Sequence, residues 1–294
     1  MSDGSPYLLT HTDLDGESCA IAVRVRFPRA KVVRCEIEEF STKLERALSR
    51  PANRPLWISD LPLTSAQADR LSARGNVLLF DHHISNVREL GDRYPWAHLD
   101  TSRSAALIVY EYLLATYPED ERLPEYRDFF LRVDDYDRWI HAYPESKALN
   151  ELMALVGADE FSGRFLRRAS LRFTPAERSL LAVSERQREA YLEDAIARSV
   201  RARDQAGNTF RWVLAEQHRN ELADRLLTDR NADPAVDYVL ILNLQKCSGS
   251  FRSRGAVDVS KLAERFGGGG HPNAAGFTLT EDQRRYLGLL LEHL

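Results

Sequence analysis

Val77-Leu78-Leu79-Phe80-Asp81-His82-His83 runs four apolar residues straight into a carboxylate and two imidazoles. So short an apolar run reads as a strand buried on both faces. Tyr7-Leu-Leu-Thr10 leads in the same way into His11-Thr-Asp13-Leu-Asp15-Gly16, and Leu56-Trp-Ile-Ser59 into Asp60. Helix-like stretches at 17–26, 42–48, 65–74 and 104–116 separate these runs, with a further strand expected over 31–37. Gly75 closes the third helix as a good residue for the position after a helix end. Alternation of this kind predicts βαβ units and a parallel sheet. Ligands of such sheets bind outside the carboxyl ends of the strands, so three strands deliver their polar groups to one crevice. Gathered carboxylates and imidazoles need a cation to reconcile them. Hard oxygen donors with a few imidazoles suit Mn²⁺ or Mg²⁺.

A chain of 294 residues predicts about two domains. Its hydrophobic content of 44% can fill packed cores, and its net charge of -4 provides no global basic field for long nucleic acids. Cys19, Cys35 and Cys247 are odd in number and widely spaced, which argues against a disulfide framework and fits a reducing cytoplasm. The polar opening Met1-Ser-Asp-Gly-Ser-Pro is too short for a signal peptide. No apolar stretch approaches the roughly 18 residues of a membrane span. A cytoplasmic protein with no membrane partner is therefore expected.

Asp13 and Asp15 are two residues apart, so both can point into one crevice, and Gly16 is read as permitting a sharp turn there. A carboxylate shared by two cations is the recurring device of two-metal hydrolases, and Asp60 or Asp81 is placed to be that bridge. Arg132-Val-Asp134-Asp135-Tyr-Asp137-Arg-Trp139 puts three aspartates in four residues. One of them can complete a metal sphere, and spacing alone does not choose among Asp134, Asp135 and Asp137.

From about 120 to 205 the pattern is helical. Thr174-Pro175-Ala-Glu177 combines an N-cap, a proline at the first helical position and a capping-box glutamate. That helix is expected to reach about Arg203, with any hinge after Glu193. Ten arginines lie between Arg164 and Arg203; a solvated helical connector is the favoured reading and a phosphate-facing rim the alternative. Strands return at 210–215, 236–244, 249–254 and 275–279. Gly267-Gly268-Gly269-Gly270-His271-Pro-Asn273-Ala-Ala-Gly276 exposes successive backbone N–H groups that can form an anion-binding nest. Arg252 and Arg254 alternate on a strand and so share a face, and the planar arginine fork suits phosphate. The expected class is α/β: a parallel-sheet catalytic domain over 1–190, a helical connector over 191–208 and a smaller mixed α/β substrate-binding domain over 209–294.

These motifs, in this order, resemble the DHH phosphoesterase superfamily, named for a triplet matching Asp81-His82-His83, with the glycine-rich stretch at 267–276 resembling its DHH-associated substrate domain. The likeness covers roughly 7–280. Tyr136-Asp137-Arg-Trp139, Leu149-Asn150-Glu-Leu and Ser250-Phe-Arg252-Ser are most similar to the oligoribonuclease, or nanoRNase, branch. The resemblance implies two Mn²⁺ ions, with Mg²⁺ as the alternative, at Asp13, Asp15, Asp60, Asp81, His82 and a fourth-motif aspartate, for which Tyr136-Asp137 aligns best. His11 joins this set although it stands two positions before Asp13, where family II pyrophosphatases have a longer spacing. It implies His83 beside the scissile phosphate, with Asp81 and Asp15 completing the catalytic group. Substrate would be held by Arg252, His271, Asn273 and the glycines Gly268, Gly269 and Gly270.

The expected activity is Mn-dependent phosphodiester hydrolysis degrading short RNA or linear dinucleotides to mononucleotides. The alternatives are a phosphatase or phosphodiesterase on mononucleotides, including 3′-phosphoadenosine 5′-phosphate and cyclic nucleotides, a general single-strand exonuclease, and a nucleotide-sensing module with a decayed site. Homodimerisation is left open.

Overall fold

The computed structural model describes residues 4–228, 236–255 and 257–282. They form two compact units, 1–181 and 182–294. The first unit contains β1 (Tyr7–Thr10), α1 (Leu14–Arg26), β2 (Lys31–Arg34), α2 (Ile37–Leu48), β3 (Leu56–Ser59), α3 (Ser65–Arg74), β4 (Val77–Asp81), α4 (Ile84–Leu90), β5 (Ala97–Leu99), α5 (Ala105–Thr116), α6 (Arg127–Asp137), α7 (Pro144–Val156) and α8 (Ala158–Arg167). Its five strands are parallel, in the order β2-β1-β3-β4-β5.

The period of two along each strand builds both faces of this sheet. Tyr7, Leu9, Leu56, Ile58, Val77 and Leu79 enter the apolar cluster that also takes Phe40 and Leu44 of α2 and Leu71 of α3. Leu8, Trp57 and Phe80 point the other way, into a larger cluster with α1, α5, α6, α7 and α8. The chain leaves β1 toward β2 on one side and reaches β3 on the other, so the order reverses at β1/β3. That switch point opens a crevice at the carboxyl ends of the strands.

Local chemistry sets the helix ends that shape the crevice. α1 starts at Leu14, not at Glu17 as expected, because Asp13 caps it: its side chain accepts the Gly16 N–H at 2.9 Å. Asp15 and Gly16 therefore lie inside the first helical turn. Gly16 is needed for space and not for a turn, since a Cβ there would lie 2.4 Å from the His11 carbonyl oxygen. β2 ends at Arg34, and Ile37 begins α2 under a Glu36/Glu39 capping box.

α9 (Pro175–Arg198) opens on the expected Thr174/Glu177 capping box. It runs unbroken through Glu193 but stops at Arg198, short of Arg203. The next residues form β6 (Val200–Arg203), followed by β7 (Thr209–Leu214), α10 (Arg219–Thr228), β8 (Tyr238–Asn243), β9 (Ser248–Ser253), α11 (Val259–Glu264), β10 (Gly269–His271) and β11 (Ala274–Thr278). Val200-Arg-Ala-Arg203 reads as more arginine-rich helix, but its pairing with β7 decides otherwise. The order is β10-β11-β9-β8-β7-β6, antiparallel except for β7 with β8. Leu192 and Ala195 of α9 pack with Val213, Leu222, Val239 and Ile241 in this second unit. The architecture is thus α/β, a parallel sheet and a separate mixed sheet. Among the described residues no helix is long and apolar enough to cross a membrane.

Candidate functional site

The polar residues after β1, β3 and β4 meet at the switch point. His11 Nδ1 lies 3.0 Å from Asp13 Oδ2 and 3.6 Å from Asp60 Oδ2. His82 Nε2 lies 3.6 Å from Asp60 Oδ1, 3.8 Å from Asp15 Oδ2 and 3.4 Å from Asp137 Oδ2. Three overlapping groups of ligating atoms result, His11/Asp13/Asp60, Asp60/His82/His83 and Asp15/His82/Asp137, each within 4.8 Å. Asp60 and His82 each belong to two of them.

The backbone holds these groups rigidly. Asp60 has φ 55°, a left-handed conformation in a non-glycine residue, which costs about 1–3 kcal/mol and persists only where the surroundings impose it. Its N–H donates to the Phe80 carbonyl of the neighbouring strand. Buried Asn86 fixes the following loop, donating to the Leu61 carbonyl at 2.9 Å and accepting the Leu63 N–H at 2.8 Å. Asp15 sits at the N-terminus of α5, where its two oxygens accept the Ala105 and Ala106 N–H groups at 2.8 Å. The helix dipole favours a carboxylate there.

Electrostatics strain the cluster. Burial, together with the charges of Asp60 and Asp137, raises the Asp15 carboxyl well above the usual range. Burial also raises Asp60, against the nearby His11 and His82 imidazoles, and lifts Asp137 to about 6. The Asp13 and Asp60 carboxylates beside its ring push His11 up to about 10. Burial opposes protonation of His82, but Asp60, Asp15 and Asp137 outweigh it and raise the imidazole to about 9. Asp60 Oδ2 and Asp137 Oδ2 are buried with no hydrogen-bond partner. An orphaned buried carboxylate oxygen is costly, and a hard cation would satisfy both. The donor set of carboxylates and imidazoles without thiolate suits Mn²⁺ or Mg²⁺.

Among the fourth-motif candidates, geometry separates one. Asp134 accepts the Ser104 N–H at 2.6 Å, and Asp135 accepts the Ala142 and Tyr143 N–H groups at 2.8 and 3.3 Å. Both are spent on the backbone, whereas Asp137 faces His82. Asp81 is fully buried at the end of β4 and stands outside the three groups. Its Oδ1 accepts the His83 N–H at 2.6 Å and faces His83 Nδ1 at 3.3 Å. That contact raises the His83 pKa and turns the half-exposed ring so that Nε2 stays free of protein partners among the described residues. Glu36 escaped sequence reasoning: its oxygens meet His11 Nε2 at 3.7 Å and accept the Thr12 hydroxyl at 2.6 Å. Its charged place in a capping box concealed it. Trp139, two residues past Asp137, is 62% exposed and packs edge-on against His141.

In the second unit, Arg252 donates to Asn220 Oδ1 at 2.9 Å and Arg254 to Asp224 Oδ1 at 2.7 Å, so both reach the same helix, α10. Burial, and the neighbouring Arg219 charge, lower the Arg252 pKa. Arg219, itself bonded to Ser250 Oγ at 3.1 Å, was missed because nothing in sequence ties a helix start to a distant strand. A pocket of about 350 Å³ lies here, lined by Arg219, Ser250, Gly267, Gly268, Gly276 and Phe277 among others. The glycine stretch is not the open nest expected. Gly267 and Gly268 N–H groups donate to Glu264 and Ala263 at the end of α11, and Gly269–His271 pair with β11. Gly268 is required by closeness, since a Cβ would lie 2.1 Å from the Gly276 carbonyl oxygen. His271 and Asn273 are exposed at the β10–β11 hairpin, and of the expected substrate residues only Gly268 lines the pocket.

Comparison with known proteins extends these observations. Residues 214–289 match the DHHA1 domain. The chain is 28% identical to oligoribonuclease NrnB of Bacillus subtilis, over 94% of this chain and 73% of that one. The pGpG-specific phosphodiesterase PggH from Vibrio cholerae shares the fold with TM-score 0.57 at 16% identity, covering 97% of each chain. Exonuclease RecJ bound to manganese does so with TM-score 0.58 at 16% identity, covering 97% of this chain and 89% of that one. The chain thus carries a stretch matching the DHHA1 domain at 214–289 and a parallel sheet bearing Asp81-His82-His83 at a strand end, and it is similar over most of its length to an oligoribonuclease.

Proposed function

We propose that the chain is a manganese-dependent phosphodiesterase that degrades short oligoribonucleotides, including linear dinucleotides, to mononucleotides. One observation carries this reading: three overlapping groups of carboxylates and imidazoles converge at the strand ends, and buried oxygens of Asp60 and Asp137 lie there without a hydrogen bond. His11, Asp13, Asp15, Asp60, His82 and Asp137 would hold two ions, with Asp60 central to the set and Asp81 beside it. Bound cations would neutralise charge on the phosphoryl oxygens and supply an activated water.

The remaining chemistry belongs to side chains. Asp81 orients His83, whose free Nε2 can donate a hydrogen bond to a phosphoryl oxygen or a proton to the leaving oxygen. Asp15, pinned by two N–H groups of α5, keeps its place as charge shifts around it. Exposed Trp139 offers a base a stacking face, a contact indifferent to sequence. Arg252 and Arg219 would bind a terminal phosphate. Their mutual repulsion without an anion supports that role, as does the similarity to NrnB over most of the chain. A mild net charge of -4 favours short substrates, because long strands need extended basic grooves.

The test is cleavage of end-labelled linear dinucleotides before and after chelation, with Mn²⁺ and Mg²⁺ added back. Activity should vanish in chelator and return best with Mn²⁺. Undiminished turnover in excess chelator contradicts the proposal, and preference for 3′-phosphoadenosine 5′-phosphate or a cyclic nucleotide would reassign the substrate.

A further inference from the structure

The loop between α8 and α9 alternates as a strand would, although it pairs with none. Ala169, Leu171 and Phe173 pack on the core of the first unit. Arg168, Ser170, Arg172 and Thr174 point the other way and line a pocket of about 350 Å³, together with Arg164, Arg167, Glu160, Glu177, Leu152 and Val156. That volume falls within the range of small-molecule sites, roughly 300–1,000 Å³.

The pocket is set in advance. Arg164 lies over the Phe165 and Phe173 rings and donates to Glu177 at 2.6 Å, to the Ser170 carbonyl at 3.0 Å and to the Arg172 carbonyl at 3.3 Å. Glu177 is also committed to the Thr174 N–H at 2.6 Å. These bonds fix the loop and leave other charges unanswered. Arg168 and Arg172 make no side-chain ion pair among the described residues, and Arg167 reaches Glu160 only at 3.7 Å, both largely exposed. Four guanidinium groups thus face two carboxylates in a chain of net charge -4. The local excess matches the roughly -1.5 to -2 charge of a phosphomonoester at neutral pH. Leu152 and Val156 supply an apolar floor, and a guanidinium plane stacks on aromatic rings as well as it forks onto phosphate.

We propose that this pocket is a second ligand site, separate from the strand-end cluster, which binds a nucleoside monophosphate: Arg168 and Arg172 take the phosphate, and the base lies on Leu152 and Val156 under Arg167. None of its residues belongs to the metal or substrate groups assigned above, and the inference does not depend on the reaction proposed there.

The experiment is calorimetric titration of the full-length protein, in chelator, with guanosine 5′-monophosphate, inorganic phosphate and guanosine. The monophosphate should bind tighter than either fragment, and more weakly as salt rises. R168E/R172E should weaken that binding at least tenfold, and the milder R168Q/R172Q should move it in the same direction, with unchanged circular dichroism. R252A should leave it in place. Unaltered affinity in both double variants overturns the site. Guanosine binding as well as its phosphate overturns the role of the arginines, and inorganic phosphate binding as well as the nucleotide overturns the role of the apolar floor.

Discussion

The first unit gathers negative charge at a strand-end crevice, and the second gathers positive charge on a helix and strand beside a glycine-lined pocket. Each is built by the opposite device. At the end of β3, Asp60 is forced into a left-handed conformation and its Oδ2 is buried without a hydrogen bond, so the crevice is costly until something of opposite sign enters. On β9 and α10, Arg252 and Arg219 are satisfied by neutral partners, Asn220 and Ser250, and keep their charge for a ligand. On the function proposed, the contrast is a division of labour: one unit would hold cations, the other an anion. Substitutions in the two should therefore fail in different ways.

The largest break should come at Asp60. Asp60→Asn is expected to lower kcat about a thousandfold or more, the scale of losing one preorganised charge in a dry site, and to reduce bound metal measured by elemental analysis. Retention of full metal content with full activity would remove Asp60 from the centre. Cation affinity should also climb steeply with pH. Ligands must shed protons to bind metal, and the His82 pKa is raised to about 9, so metal competes with a proton at neutral pH. Affinity should rise about tenfold per pH unit for each displaced proton across pH 6 to 9, below the raised values of His82 and His11; titration of the chelator-stripped protein with Mn²⁺ over that range checks the sign. A flat profile would show that the imidazoles do not ligate.

His83→Ala should cut kcat by about a hundredfold, a general acid–base contribution, while leaving metal content intact. Loss of metal instead would make His83 a ligand. In the second unit Arg252→Ala and Arg219→Ala should raise KM, each by roughly 1.5–3 kcal/mol for a lost charged hydrogen bond, with kcat and metal content little changed. A fall in kcat at constant KM would erase the division of labour. Trp139→Ala should have the smallest effect, about 1 kcal/mol in KM for a dinucleotide, and none on the hydrolysis of a substrate without a base.

The parallel sheet and the strand-end cluster were legible because period and position agree: Val77–Phe80 must be a strand, and a charge at its end must face the crevice. What a side chain is spent on was not legible. Asp134, Asp135 and Asp137 are indistinguishable as letters, and only the fold shows two of them bonded to backbone N–H groups. Gly16 was read for flexibility and is there for lack of a Cβ. The glycines at 267–270 were read as an open nest, yet two of their N–H groups serve a helix end. Glu36 and Arg219 act across 25 and 31 residues of sequence from His11 and Ser250, distances that local patterns do not carry. The arginines of 164–203 divide: Arg198 pairs with Asp194 on an exposed face, as a solvated connector should, Arg188 is buried against Glu185 and Glu221, and Arg168 and Arg172 make no side-chain ion pair among the described residues.

Whether the chain is a cation-dependent hydrolase confined to short RNA is decided by kcat/KM across a length series of end-labelled 2- to 24-mers with Mn²⁺ at fixed salt. Efficiency should be highest at about 2–5 nucleotides and fall toward the 24-mer, because net charge -4 supports no extended groove for the backbone. Efficiency that holds level or rises with length would contradict the account and make the chain a general single-strand exonuclease.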